Sequence, residues 1–170
     1  PNADAISGSL VNSTGIALNA SCYYGDDDHR GIWYSVTGTG GFLSVVTCSI
    51  QDEPPYVQIF SGSCAELNCL AIGRNMTNVC EPSTEYGMQA LFRTDNETQY
   101  FILVSQNFDS NPDFELTVSG VVLPSHAFCK GAPALPLNSN TTRGSLVDAV
   151  LSTGTRCSSY EESPFAWFSL

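Results

Sequence analysis

The order of residues that opens this chain returns near its end. Gly8-Ser9-Leu10-Val11, then Cys22, then Trp33-Tyr34-Ser35 recurs as Gly144-Ser145-Leu146-Val147, then Cys157, then Trp167-Phe168-Ser169. The offsets are 144 − 8 = 136, 157 − 22 = 135 and 167 − 33 = 134, drifting by single residues as loop insertions and deletions would make them. A period of this length is too long for a solenoid and is that of a whole domain in tandem. The expected organisation is a complete repeat over 1–121, a linker over 122–137 rich in proline (Pro124, Pro133, Pro136), and the N-terminal part of a second, incomplete repeat over 138–170. Such a chain reads as a stretch of a longer repeat protein, and a proline-dense linker as a semi-stiff spacer.

Within the first repeat no segment sustains a helical period. Apolar residues alternate instead, in short runs separated by Gly, Pro, Asn, Asp and Ser. Ile32, Tyr34 and Val36 face one way and Trp33, Ser35 and Thr37 the other; Phe114, Leu116 and Val118 oppose Glu115, Thr117 and Ser119. Tyr100–Val104 is apolar on both sides, the pattern of a central strand covered on both faces. With Ile6–Val11, Ile16–Leu18, Phe42–Cys48, Tyr56–Phe60 and Met88–Phe92, roughly eight strands are expected. The fold class is therefore all-β, an antiparallel β-sandwich or jelly roll, one full repeat plus the start of a second.

Seven cysteines point to an oxidising compartment. They form no C-x-x-C pair, and neither His29 nor His126 stands in a ligand pattern with them, so no metal site is expected. Cys157 is the counterpart of Cys22 and lies 28 residues after Cys129 (157 − 129 = 28). A Cys129–Cys157 bond within the second repeat would leave Cys22 to a partner upstream of the sequence. Cys48, Cys64, Cys69 and Cys80 then make two bonds in one of three connectivities. The pairing Cys48–Cys64 with Cys69–Cys80 is favoured because each closes a short segment.

The sequon N-x-S/T occurs at Asn12, Asn19, Asn75, Asn96 and Asn140. With 11 Asn and about a fifth of the chain Ser or Thr, chance supplies roughly two. Charged residues are only 14% of the chain, well below the roughly 25% usual in soluble domains, so attached glycans would supply solubility that charge does not. The net charge of −11 opposes binding to a phosphate backbone, and no nucleic acid is expected. No apolar run is long enough to span a membrane as a helix. There is no signal-peptide pattern at Pro1, as at a mature or internal start. Localisation is expected to be extracellular.

Gly31-Ile32-Trp33-Tyr34-Ser35-Val36, Val45-Val46-Thr47-Cys48, Val57-Gln58-Ile59-Phe60-Ser61-Gly62-Ser63-Cys64-Ala65-Glu66-Leu67-Asn68-Cys69 and Thr98-Gln99-Tyr100-Phe101-Ile102-Leu103-Val104 follow one another in a fixed order. This layout resembles the bacterial pre-peptidase C-terminal domain and its tandem eukaryotic relatives, over residues 2–121 and again from 138. The resemblance implies a jelly roll, often repeated in large secreted proteins. Where relatives carry acidic groups, this chain has Pro55-Tyr56 and Arg74-Asn75-Met76-Thr77, so any calcium role of those groups is not carried over.

Asp26-Asp27-Asp28-His29 has calcium-ligand chemistry without EF-hand spacing, and reads as a solvated acidic loop. Asp109, Asn111 and Asp113 read as turn chemistry. No nucleophile elbow precedes a helix, and no residue is singled out as catalytic. Trp33 and Trp167 occupy equivalent places; a sugar platform is conceivable there, and a buried structural Trp is the plainer expectation. No cofactor is expected. The function expected is that of a structural repeat unit in an extracellular, disulfide-bonded, N-glycosylated fibre, appendage or cell-surface protein. Its partners would be further copies of itself and N-linked glycans, with the apolar strand material of 138–170 completed by a neighbouring chain or by its own continuation. The alternative is a carbohydrate- or protein-binding accessory module of a secreted hydrolase.

Overall fold

A computed structural model describes residues 5–15, 22, 29–49, 53–77, 79–80, 86–107 and 113–123. The chain divides into two units, Pro1–Val121 and Val122–Leu170, and every element described lies in the first. Among the described residues there are ten strands and no helix. They are β1 (Ile6–Ser9), β2 (Thr14–Gly15), β3 (His29–Thr37), β4 (Phe42–Ser49), β5 (Tyr56–Ser63), β6 (Glu66–Ile72), β7 (Arg74–Thr77), β8 (Tyr86–Arg93), β9 (Gln99–Asn107) and β10 (Asp113–Val121).

The strands form two five-stranded sheets, ordered β1-β10-β4-β8-β7 and β2-β3-β9-β5-β6, with every pair antiparallel. The chain changes sheet between β1 and β2, β3 and β4, β4 and β5, β6 and β7, β8 and β9, and β9 and β10. That interleaving, with β1, β10, β4 and β8 in one sheet and β3, β9, β5 and β6 in the other, is a jelly-roll β-sandwich. The short β2 and β7 extend one edge of each sheet.

The alternation of the sequence sets which side chains fill the space between the sheets. Leu43 and Val45 on β4, Met88, Ala90 and Phe92 on β8, and Phe114 and Leu116 on β10 come from the first sheet. Val57 and Ile59 on β5 and Tyr100, Ile102 and Val104 on β9 meet them from the second. Ile32, Tyr34 and Val36 pack against this core from β3, as their spacing requires. Tyr34 stands edge-on to Phe114, ring centroids 6.5 Å apart.

The Gly-Ser-Leu-Val motif closes one end of the core. A Cβ on Gly8 would come within 2.5 Å of Phe114 Cζ and 2.9 Å of the Tyr34 hydroxyl, so only glycine fits between them. Two residues on, Leu10 is wholly buried in the core. Ser13 closes a turn by donating from its backbone N–H (3.0 Å) and its hydroxyl (2.8 Å) to the Leu10 carbonyl. Asn12, at the third position of that turn, has φ +64°, a conformation Asn tolerates better than most residues. The strand expected over Ile6–Val11 accordingly ends at Ser9: Leu10 leaves the sheet to fill the core, and Val11 is exposed.

The β3–β4 and β8–β9 connections are zipped together at one end of the sandwich. Gly38 N–H donates to the Thr98 carbonyl (2.7 Å) and Glu97 N–H to that of Gly38 (3.0 Å). The buried Thr94 hydroxyl accepts from Thr39 N–H (3.1 Å) and donates to the Gly41 carbonyl (2.9 Å). Deeper in, the Thr47 hydroxyl donates to the Pro55 carbonyl at 2.7 Å, holding the crossover from β4 to β5.

Candidate functional site

The outer face of the second sheet is covered where its central strands run. Residues paired across neighbouring strands share a face. The registers therefore place Trp33, Leu103, Gln58 and Ile72 in one row across β3, β9, β5 and β6, and Ser35, Phe101, Phe60 and Cys69 in the next. Phe60 and Leu103 are buried there, with Leu67, Ile72 and Phe101 half-buried around them, and Cys22 lies in the same cluster. A disulfide from Cys22 to Cys69, Cα atoms 5.1 Å apart, clamps it in place. The two-faced apolar pattern of Tyr100–Val104 has this cause: one face meets the first sheet and the other meets the Cys22 cluster.

At the margin of this layer stands Trp33. It is 40% exposed, tilted 53° against Phe60 with ring centroids 5.4 Å apart. The expectation of a buried structural Trp is thus corrected. Odd-numbered positions of β3 point away from the core, and Trp33 leans on the cluster without being enclosed by it. Its neighbours on the same face of β3 are Gly31 and Ser35, which leave the ring open along the strand. The pair Gly31 and Ser35, two residues to either side, was the signal in the sequence for an accessible ring.

Two buried polar groups in the covered face, Gln58 Oε1 and Ser105 Oγ, have no hydrogen-bond partner among the described residues. Ser105 pairs in register with Gly31 on one side and Tyr56 on the other, one row from Gln58. The Gln58 oxygen is an acceptor and the Ser105 hydroxyl a donor and acceptor, each set in an apolar layer at a cost of about 1–3 kcal/mol.

The disulfide connectivity differs from the one expected. Cys22 pairs with Cys69 and so has its partner inside this unit rather than upstream. Cys48 pairs with Cys80, Cα atoms 5.8 Å apart. Cys64 is free and exposed. Short loop closure is overruled by the sandwich geometry. Cys48 is near the end of β4, where the chain crosses to β5; Cys64 lies past the far end of β5, roughly 26 Å of strand away, beyond the ~7 Å a disulfide spans. Cys69 points outward from the second sheet, while Cys80 Sγ lies over Gly87, the residue paired with Cys48 in the first sheet. Cys129 and Cys157 lie outside the described residues.

Three sequon asparagines are described and all are exposed: Asn12 in the turn before β2, Asn75 on the edge strand β7, and Asn96 in the β8–β9 turn. Asn19 and Asn140 lie outside the described residues, as do Asp26, Asp27, Asp28, Asp109, Asn111 and His126. Asp113 opens β10 and is exposed, opposite Ser9. Among the described residues no three His, Cys, Asp or Glu side chains gather closely enough to hold a metal ion, and no helix is long and apolar enough to cross a membrane.

The accessible chemistry of this face is therefore that of an aromatic ring with open flanks at a sheet edge, backed by a disulfide-clamped apolar layer. No protein-family model, curated protein or solved structure matches the chain. The resemblance to the pre-peptidase C-terminal domain rests on the order of its strand motifs alone.

Proposed function

We propose that this chain supplies a structural repeat unit of an extracellular, disulfide-bonded and N-glycosylated protein. One observation carries the reading: three of the residues that recur at the 134–136 offsets, Gly8, Leu10 and Cys22, have framework roles in the sandwich. Gly8 is the only residue that fits beneath Phe114, Leu10 plugs the core, and Cys22 clamps the outer layer to β6. Their counterparts Gly144, Leu146 and Cys157 keep the same residue types. A repeated scaffold retains what the fold needs, whereas a repeated active site would retain reactive groups. The two disulfides support an oxidising destination, and the exposed positions of Asn12, Asn75 and Asn96 suit glycan attachment.

Secretion of the chain from a eukaryotic host tests this reading. Expected are intact mass above the polypeptide value that falls on enzymatic deglycosylation, two protected disulfides, and a protease-resistant core lost on reduction. A secreted chain without glycans, or one digested equally fast with and without reductant, refutes it.

Trp33 is the observation that favours the second reading, a carbohydrate- or protein-binding accessory module. Saturable binding of oligosaccharides on an array, abolished by Trp33→Ala, would establish that reading in place of the first.

A further inference from the structure

We propose that the open edge of β3, Ile32–Thr37, pairs with the same edge of a second copy, joining two second sheets into one antiparallel sheet across a two-fold axis. The inference rests on the reading of the chain as a unit that works among copies of itself, and it adds the surface through which they meet. Strand β2 covers β3 only at Thr14↔Gly31 and Gly15↔Arg30. Among the described residues no strand pairs with Ile32–Thr37 on the side away from β9. Every second residue of that stretch turns its N–H and C=O toward the open side, so the edge is a template for a further strand. Its composition offers no obstacle. Ile32–Thr37 contains no charge, proline or glycine, and Ile32, Trp33, Tyr34, Val36 and Thr37 are all strong strand formers. The ladder to β9 runs without a bulge, its register unbroken from His29↔Asn107 to Thr37↔Gln99.

The other edges carry features that discourage strand addition. Strand β6 starts at Glu66 and shifts register against β5 beside Ile59 and Phe60. Strand β7 is four residues long and carries Arg74 and the sequon Asn75. Where β1 leaves β10 uncovered, from Thr117 onward, Gly120 weakens the strand. The second copy is the occupant that charge selects. At a net charge of −11 two chains repel each other, and a charge-free stretch is where that repulsion is least. A partner recognised through charge finds nothing on this edge to pair with. An antiparallel ladder between identical edges is also self-complementary, so both open edges are satisfied in one closed pair. Facing limits its register, because paired residues must lie on the same face. The stretch therefore meets itself about Tyr34 (Ile32↔Val36, Trp33↔Ser35) or about Ser35 (Trp33↔Thr37, Tyr34↔Val36). In either register Trp33, 40% exposed, lies opposite the partner's Ser35 or the partner's Thr37, which leave room for the indole across the seam.

Six residues a side are fewer than the roughly 20–30 of a standard interface, so single chains associate weakly and repetition in tandem multiplies the contact. The test is sedimentation of the full secreted chain from micromolar to millimolar concentration. A Cys64→Ser background removes the free exposed thiol as a source of covalent pairs. The weight-average mass should rise reversibly toward twice that of the monomer. Ser35→Lys and Thr37→Lys place a charge at exposed positions of the edge and should each hold the chain at monomer mass. Asn68→Lys, at an exposed position of β6, should leave the dimer intact. Hydrogen–deuterium exchange of the Ile32–Thr37 amides should slow with concentration in the parent chain and not in the β3 variants. A chain monomeric at every concentration overturns the proposal, as does a dimer that both β3 variants retain. So does association that Asn68→Lys removes as well, or a mass that climbs past the dimer. None of these outcomes bears on glycan mass or disulfide pairing, by which the reading as an extracellular glycoprotein stands or falls.

Discussion

Removing the two disulfides separately should reveal which of two physical jobs each one does. In the chain-entropy account, a cross-link stabilises by restricting the unfolded chain, and the effect grows with the logarithm of the loop. Sequence separations of 32 for Cys48–Cys80 and 47 for Cys22–Cys69 give about 3.7 and about 4.0 kcal/mol. For the unit Pro1–Val121, an unfolding entropy of about 0.25 kcal/mol/K turns the smaller figure into a fall in Tm of roughly 15 °C. Loop entropy alone therefore makes the two bonds nearly equal. The structure does not: Cys22 is also one of the buried members of the cluster over Phe60 and Leu103. Its loss uncovers apolar surface as well as freeing the chain, a further cost of about 1–2 kcal/mol. The assay is calorimetry of the double variants Cys48→Ala/Cys80→Ala and Cys22→Ala/Cys69→Ala without reductant. Both are made with Cys64→Ser, because a free exposed thiol would otherwise capture an orphaned partner. The Cys22/Cys69 variant should melt lower by several degrees. A fall of less than about 4 °C for either variant would mean that its bond does not restrain the chain. The reverse order would refute the covered outer face.

Other consequences follow from single groups. Ser105→Ala removes a buried hydroxyl that has no partner among the described residues and should raise stability by about 1 kcal/mol in denaturant unfolding; a loss of stability would show that the hydroxyl is bonded. Thr47→Val, nearly the same shape, leaves the Pro55 carbonyl unpaired in a buried crossover and should cost about 1–3 kcal/mol by the same measurement. Burial raises the Tyr34 phenol above its ordinary value of 10.0. The neutral form is favoured in the folded state, so its contribution is intact below pH 10 and is lost as pH rises through the elevated value; Tyr34→Phe should flatten that alkaline limb of the stability profile. Because Cys157 occupies the Cys22 place in the second copy, and Cys22 bonds forward to β6, non-reducing peptide mapping should recover Cys22–Cys69 and Cys48–Cys80 and no Cys129–Cys157 peptide; finding the latter would mean that the two copies use this position differently.

What could be read from the sequence was whatever alternation reports. The core residues on β3, β8 and β10 come from the period-two pattern, because a strand with one buried face must alternate, whereas β5 and β9, buried on both faces, read as continuous apolar runs. Three strands escaped it: the two-residue β2, for which the strand expected over Ile16–Leu18 lies outside the described residues, and β7 and β6. In β7 the residues Arg74-Asn75-Met76-Thr77 are half-buried to exposed, so an edge strand held only by its ladder to β8 leaves no hydrophobic trace. In β6, Leu67, Cys69 and Ile72 do face the covered layer, but a register shift beside Ile59 and Phe60 sets Leu70 outward and breaks the alternation. The disulfides were illegible for a related reason. Separation along the chain favours neighbours such as Cys48 and Cys64, whereas the jelly roll brings each cysteine to a sheet, a face and an end, and those three coordinates decide its partner.

The same reasoning explains why the repeat carried more information than any motif within it. Gly8, Leu10 and Cys22 lie in or beside the crossing from β1 to β3, where the chain passes from one sheet to the other. Alternation says nothing about such a crossing, since no ladder continues through it. Steric fit under Phe114, complete burial of one leucine and a covalent clamp must fix it instead. Residues with those jobs tolerate few replacements, while a strand residue such as Val46 needs only to be about the right size and polarity. Recurrence over a 135-residue interval should therefore single out the crossings and not the strands. The aromatic pair makes the distinction from the other side. Trp33 lies on the exposed face of a regular strand, where fold alone would admit Thr or Val, and still Trp167 stands at its place in the second copy. Its recurrence singles out a strand residue whose ring leans on Phe60, centroids 5.4 Å apart, and still leaves 40% of its surface exposed.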